Sequence, residues 1–110
     1  MATVVVCDDD KVVRAAVSAA CAGAGLEVVA ETDSGSDAAE MVRRFGVDVL
    51  VLDLSLSDGS GERTLERLNE DGREVAVVVF TAYASDPWPL LRMGVHEVVA
   101  KPHFMMANTN

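Results

Sequence analysis

Five short, largely apolar runs restrict the fold of this chain more than any other feature. They lie at Thr3–Cys7, Leu26–Ala30, Asp48–Leu52, Glu74–Phe80 and Glu97–Ala100. Within them successive residues are apolar, instead of every second residue, which is typical of strands buried on both faces. The sequence therefore predicts a parallel sheet with helices packed on both sides.

Between the first runs, apolar residues recur at helical spacing. The first such segment extends from Val12 to Cys21 and ends near Gly23. A second begins after the capping residue Ser34 and ends at Gly46. Hydroxyl side chains favour helix starts, and glycines favour helix ends. Both segments are therefore predicted to be helices.

Two shorter helices are predicted in the second half of the chain. One covers Glu62–Asn69, and two prolines limit the other to roughly Pro87–Met93. Strands and helices thus alternate, and right-handed crossovers then produce an α/β fold with a doubly wound, five-stranded parallel sheet. We expect one domain over residues 1–103 and a short tail at 104–110, with the last helix absent or truncated.

A shortened C-terminal end would leave part of the sheet uncovered. The expected strip consists of alternate residues of Val75–Phe80 and Val98–Ala100. A covering helix would bury roughly 400 Å² of apolar surface. We therefore expect self-association through this face, exchange of the C-terminal segment between chains, or a longer protein that supplies the helix. Partial cover by the apolar tail residues at 104–106 is the alternative.

Composition narrows the function classes. The chain has 9 basic and 18 acidic residues, a net charge of −9, which argues against direct nucleic-acid binding. Its longest apolar run is too short to span a membrane. Cys7 and Cys21 lie in apolar segments without disulfide or zinc spacing, so we expect buried thiols in a reduced, cytoplasmic protein.

Polar and charged residues follow four of the five predicted strands. Asp8 and Asp9 follow the first, Asp53 the third, Thr81 the fourth and Lys101 the fifth. Ligands of open parallel sheets bind outside the carboxyl ends of the strands. These five side chains should therefore meet at one edge of the sheet.

Three neighbouring carboxylates repel one another unless a cation lies between them. Mg²⁺ suits carboxylate and phosphoryl oxygens, so it is the expected cofactor. Asp53 can then act as a nucleophile on phosphorus, because carboxylates form aspartyl-phosphate intermediates. Lys101 and the metal would stabilise charge on the transferred group, and Thr81 could donate a hydrogen bond to it.

The fragments VVVCDDD, VLDLSLSDGSG, VVVFTA and VVAKP together resemble the receiver domain of response regulators, the CheY-like domain of two-component signalling systems. The resemblance extends from Thr3 to Pro102. It implies that Asp9 binds Mg²⁺ directly and that Asp8 acts mostly through water. It also implies that Asp53 is both phosphoacceptor and metal ligand, with the backbone carbonyl of Ser55 as a third protein ligand.

The same resemblance implies that Thr81 is the switch hydroxyl and that Lys101 binds the phosphoryl group. The donor would be a sensor histidine kinase or a histidine phosphotransfer protein, and a C-terminal output domain could follow in a full-length protein. Such a domain catalyses only its own phosphorylation and dephosphorylation. It further implies a cis Lys101–Pro102 bond. Val98 stands where the family usually has an aromatic residue, so the usual switching mechanism is in doubt.

Two other functions fit parts of the sequence. The run VVVCDDDKVV also fits the first motif of haloacid-dehalogenase-like phosphatases, with Asp8 as nucleophile and Asp10 as acid/base. That interpretation leaves Asp53 without a role. A pseudo-receiver that binds partners without being phosphorylated is the second alternative. Asp10 itself is expected to begin the first helix, where acidic residues are favoured.

Overall fold

A computed structural model describes residues 1–56, 58, 60–72, 74–82 and 86–102 of the chain. Strands and helices alternate along these residues. In order they are β1 (Thr3–Cys7), α1 (Lys11–Gly23), β2 (Glu27–Thr32), α2 (Gly35–Phe45), β3 (Val49–Leu52), α3 (Gly61–Asp71), β4 (Ala76–Thr81), α4 (Trp88–Arg92) and β5 (Glu97–Ala100).

All strands are parallel and form one sheet in the order β2-β1-β3-β4-β5. This arrangement confirms the predicted doubly wound α/β fold. Cys7 pairs with Leu52, and Leu52 pairs with Val79. This register brings the carboxyl ends of the three central strands side by side, which places the residues after them at one edge.

Local chemistry explains where the first two helices begin and end. Asp10 caps α1 by accepting hydrogen bonds from the amides of Val12 and Val13. Ser34 caps α2 through the amide of Asp37, and Gly46 ends α2 in the left-handed region at φ 60°. These caps satisfy backbone groups that the helix ends leave unpaired. The expected roles of Asp10, Ser34 and Gly46 are therefore confirmed.

Two glycines allow close contacts near the residues that follow β3. The first residue of α3, Gly61, lies against Leu54, and a Cβ atom there would be 2.7 Å from the carbonyl oxygen of Leu54. At Gly35 a Cβ atom would overlap the hydroxyls of Ser60 and Thr64. Larger residues at either glycine would push these neighbours out of place.

Several predicted bounds differ from the structure by one or two residues. β2 extends to Thr32 instead of ending at Ala30, because its last residues still pair with β1. β3 begins at Val49, one residue later than predicted, and the side chain of Asp48 before it accepts a hydrogen bond from the amide of Thr3. β4 begins at Ala76. Cys7 is buried as predicted, but Cys21 is only partly buried, because the outer side of α1 is open.

One face of the sheet is open near α1. Val51, Val78 and Phe80 are half-buried, and the side chain of Val99 is 38% exposed. Together with α1 they line a groove of about 260 Å³ that is almost entirely apolar. The partial exposure of Val78, Phe80 and Val99 agrees with the expected uncovered strip. Residues 103–110, including the predicted tail, lie outside the described residues.

No helix in the described ranges is both long and apolar enough to cross a membrane. The state of association of the chain stays a prediction.

Candidate functional site

Asp8 follows the last residue of β1, and its amide, its carbonyl and both carboxylate oxygens have bonding partners. Its amide donates to the carbonyl of Thr32 at 3.0 Å. Its Oδ1 accepts the amide of Asp10 at 2.9 Å, and its Oδ2 is 2.9 Å from the Nζ of Lys101. A guanidinium nitrogen of Arg14 donates to its carbonyl oxygen at 2.7 Å. The side chain of Asp8 therefore has one defined position at the edge of the sheet.

Asp53 occupies the equivalent place after β3. Its amide donates to the carbonyl of Cys7 at 3.0 Å, which continues the pairing of β1 with β3. Oδ1 accepts the amide of Ser55 at 2.9 Å, and Oδ2 is 3.0 Å from the Nζ of Lys101. Like Asp8, Asp53 is only 2% exposed. The two buried carboxylates thus share one ammonium group.

Asp9 completes a group of three acids. One ligand oxygen from each of Asp8, Asp9 and Asp53 lies within 4.8 Å of the others, and Asp9 is the exposed member. Hard divalent cations such as Mg²⁺ bind oxygen ligands of this kind. The donor set and its spacing fit the ion, and the exposed side at Asp9 leaves room for the water molecules that Mg²⁺ retains.

The pKa values reflect this crowding. Burial raises the pKa of Asp8, the nearby charge of Asp53 raises it further, and the hydrogen bonds from Asp10 and Lys101 oppose the rise only in part. Burial alone would lower the pKa of Lys101, but hydrogen bonds to both carboxylates raise it above its usual value. Lys101 is therefore charged at neutral pH and compensates the acidic group only in part.

Two hydroxyls lie beside Asp53. Thr81, the last residue of β4, is buried, and its Oγ1 is 3.4 Å from the Oγ of Ser55. Ser55 is exposed at the mouth of the site. The six site residues predicted from the sequence thus lie together at one edge of the sheet. They are Asp8, Asp9, Asp53, Ser55, Thr81 and Lys101.

One backbone prediction is wrong. No peptide bond of the described chain is cis, so Lys101–Pro102 is trans. A trans bond is the usual form even before proline, where only about 5–6% of bonds in folded proteins are cis. Lys101 nonetheless reaches both carboxylates, because its amide bonds to the carbonyl of Thr81 at 2.8 Å and extends the pairing of β5 with β4.

Sequence reasoning missed Arg14. This residue lies on the first turns of α1, and its Nε is 3.6 Å from Glu31 on β2. A basic residue six positions after Asp8 was a visible signal, but a helix surface carries such residues for many reasons. Only the folded chain shows that the guanidinium turns toward the backbone of the acidic residues.

Comparison with known proteins identifies the family. Residues 4–107 match the family model of the response regulator receiver domain. The chain is 34% identical over 79 residues to the nitrate/nitrite response regulator protein NarP of Escherichia coli strain K12, a match covering 70% of this chain and 37% of NarP. The residues that match the family model include all the sequence elements that hold the site, and the chain belongs to the response regulator receiver domains.

Solved structures agree in fold. The receiver domain of AraT, a response regulator from Geobacillus stearothermophilus, is 28% identical with a TM-score of 0.80, over 92% of this chain and 81% of that one. The CheX-CheY-BeF3-Mg²⁺ complex from Borrelia burgdorferi has a TM-score of 0.84 at 16% identity, over 98% and 89%. The chain spans less than half the length of the curated relatives it matches.

Proposed function

We propose that this chain is the phosphoacceptor module of a two-component response regulator, with Asp53 as the acceptor. The observation that carries this proposal is the burial of Asp53 at the end of β3, with the ammonium of Lys101 at 3.0 Å. Ligand oxygens of two further acids, Asp8 and Asp9, lie within 4.8 Å of one of its own. The alternative with Asp8 as nucleophile and Asp10 as acid/base has less support, because Oδ1 of Asp10 is used to cap α1.

The proposed metal site consists of carboxylate oxygens of Asp9 and Asp53, the backbone carbonyl of Ser55, and Asp8, which acts mostly through water. When bound, Mg²⁺ would neutralise charge on the acids and on the phosphoryl oxygens. Burial raises the pKa of Asp8, and the nearby charge of Asp53 raises it further. A bound cation would relieve both of these penalties on the charged carboxylate.

In the proposed reaction a carboxylate oxygen of Asp53 attacks the phosphorus of the donor. The new O–P bond forms while the bond from phosphorus to the donor atom breaks, and the leaving group departs with that electron pair. Lys101 stabilises the charge on the transferred oxygens, and the hydroxyl of Thr81 donates a hydrogen bond to one of them. Hydrolysis of the aspartyl phosphate by water would return the carboxylate and release inorganic phosphate.

The partners follow from the same proposal. We propose a sensor histidine kinase or a histidine phosphotransfer protein as donor, in the cytoplasm, and an output domain elsewhere in the full-length protein. Catalysis would be limited to the chain's own phosphorylation and dephosphorylation. The functional unit would be residues 1–103, with 104–110 as a tail.

Intact mass after incubation with Mg²⁺ and acetyl phosphate tests the assignment. We expect one phosphate adduct in the parent and none in Asp53→Asn. Asp48→Asn, at the opposite end of β3, is the matched control and should be labelled like the parent. An adduct that survives Asp53→Asn and disappears in Asp8→Asn would support the phosphatase-like alternative instead. A parent that binds Mg²⁺ but is never labelled would support a pseudo-receiver.

A further inference from the structure

We propose that Arg14 is a positioning residue for the metal site, acting through the backbone of Asp8. This inference rests on the proposed function, because it concerns how the acidic residues are held ready for Mg²⁺. Arg14 contacts the carbonyl oxygen of Asp8 at 2.7 Å, a short hydrogen bond from a charged donor. Bonds of this kind are about twice as strong as those between neutral groups.

The bonded carbonyl belongs to the peptide group that joins Asp8 to Asp9. A peptide group is planar, so fixing its oxygen also fixes the direction of the Asp9 amide and of the chain that follows. Asp9 is the exposed member of the acidic group. Rotation of this one peptide would move the carboxylate of Asp9 away from those of Asp8 and Asp53, and Arg14 opposes that rotation.

Arg14 is itself held in place. Its backbone amide bonds to the carbonyl of Asp10 at 2.9 Å, inside the first turn of α1. Its Nε lies 3.6 Å from a carboxylate oxygen of Glu31 on β2, and its side chain is only 20% exposed. The guanidinium therefore bridges the acidic turn and the neighbouring strand. Lysine could supply the charge there, but not two donors in a fixed fork.

The sign of the effect separates positioning from simple charge. A cation close to a metal site repels Mg²⁺, so an Arg14 that acted by charge alone would weaken binding, and its removal would tighten binding. A positioning residue has the opposite effect. Loss of a group that orients a metal ligand typically lowers the affinity for the metal 10–100-fold. We expect a weakening of about tenfold in Arg14→Ala, since only one ligand-bearing peptide is released.

The experiment measures Mg²⁺ binding to the whole chain by calorimetry in the parent, Arg14→Ala and Arg14→Lys. Lys11→Ala is the matched control, because it removes the same charge from the exposed start of the same helix. We expect weaker binding in Arg14→Ala, an intermediate loss in Arg14→Lys, and equal or tighter binding in Lys11→Ala. Unchanged or tighter binding in Arg14→Ala would overturn the proposal.

Two further readouts exclude a general loss of structure. The Mg²⁺ concentration for half-maximal labelling by acetyl phosphate should rise in Arg14→Ala, while the KM for acetyl phosphate at saturating Mg²⁺ stays at the parent value. A rise in that KM with unchanged Mg²⁺ affinity would contradict the proposal. If Arg14→Ala does not fold, Glu31→Gln, which frees the guanidinium from its ionic partner, should weaken Mg²⁺ binding by a smaller factor, and no change there would refute the role.

The same measurements distinguish an error in the proposed function from an error in the role of Arg14. A parent chain that does not bind Mg²⁺, or is not labelled on Asp53, would contradict the phosphoacceptor assignment. A parent that does both, with an Arg14→Ala variant that binds Mg²⁺ equally well, would contradict only the role of Arg14.

Discussion

The two faces of the sheet differ in how completely they are covered. On the face under α2 and α3, Leu50, Leu52 and Val79 are fully buried. On the opposite face, Val78 is half-buried and Val99 is 38% exposed. The residues on the two faces are equally apolar, so composition does not cause the difference. Within the described part of the chain, fewer helices pack against the open face than against the covered face, and this accounts for the difference.

This difference indicates which face of the sheet contributes more to the stability of the fold and to the position of the site. The first residues after Asp53 pack on the covered side, where Gly61 lies against Leu54 and Leu56 is buried. The open groove still touches the site at one point. The ring of Phe80 lies 5.9 Å from the Nζ of Lys101. Stability should therefore depend mainly on the covered face, and the metal site should be nearly independent of the apolar groove on the open face.

The largest expected effect is a difference in stability between variants of two adjacent valines of β4. Val79→Ala removes two methyl groups from the covered face and should lower the free energy of unfolding by about 2–3 kcal/mol. Val78→Ala makes the same chemical change on the open face and should cost about 1 kcal/mol, because its surroundings are already partly exposed. Urea unfolding of both variants measures the difference. Equal losses would mean that the open face is covered in solution.

Stabilisation by Mg²⁺ tests whether the site depends on the apolar groove of the open face. At a hundred times its dissociation constant, Mg²⁺ should raise the free energy of unfolding of the parent by about 2.7 kcal/mol. The groove variant Val99→Lys should gain the same amount, whereas Asp9→Ala should lose most of it. Thermal unfolding with and without Mg²⁺ gives these values. If Asp9→Ala is stabilised like the parent, Asp9 is not a ligand.

The smallest expected effect is a pH dependence of stability, which should come from the charged edge of the sheet and not from either apolar face. Burial raises the pKa of Asp8, so the folded state holds this proton more tightly than the unfolded state. Stability without metal should therefore fall as pH rises from the usual Asp range through the raised pKa of Asp8. Lys101, whose pKa is also raised, remains charged throughout this window.

Asp8→Asn should lack this decrease, which denaturant unfolding over a pH series would show as a growing stability advantage of the variant. The effect is expected to be small, because the ion pair with Lys101 offsets part of the cost of burial and is lost in the variant. A variant that loses stability relative to the parent as pH rises would show that the ion pair outweighs burial.

Much of this molecule could be predicted from the sequence. Apolar runs and caps such as Asp10 and Ser34 act over a few residues, and they indicated the strands and the first two helices. The site residues were predictable because the carboxyl ends of parallel strands share one edge of the sheet. That rule brought Asp8, Asp53 and Lys101 together without any knowledge of distances.

Other features depend on contacts between segments that are distant in the chain, and only the tertiary structure decided them. The end of β2 moved from Ala30 to Thr32 because its last residues still pair with β1. The trans form of Lys101–Pro102 could not be derived locally, since an X–Pro bond has only a small intrinsic preference. The direction of Arg14 toward Asp8 depended on how α1 packs beside β2, which no periodicity of its own sequence encodes.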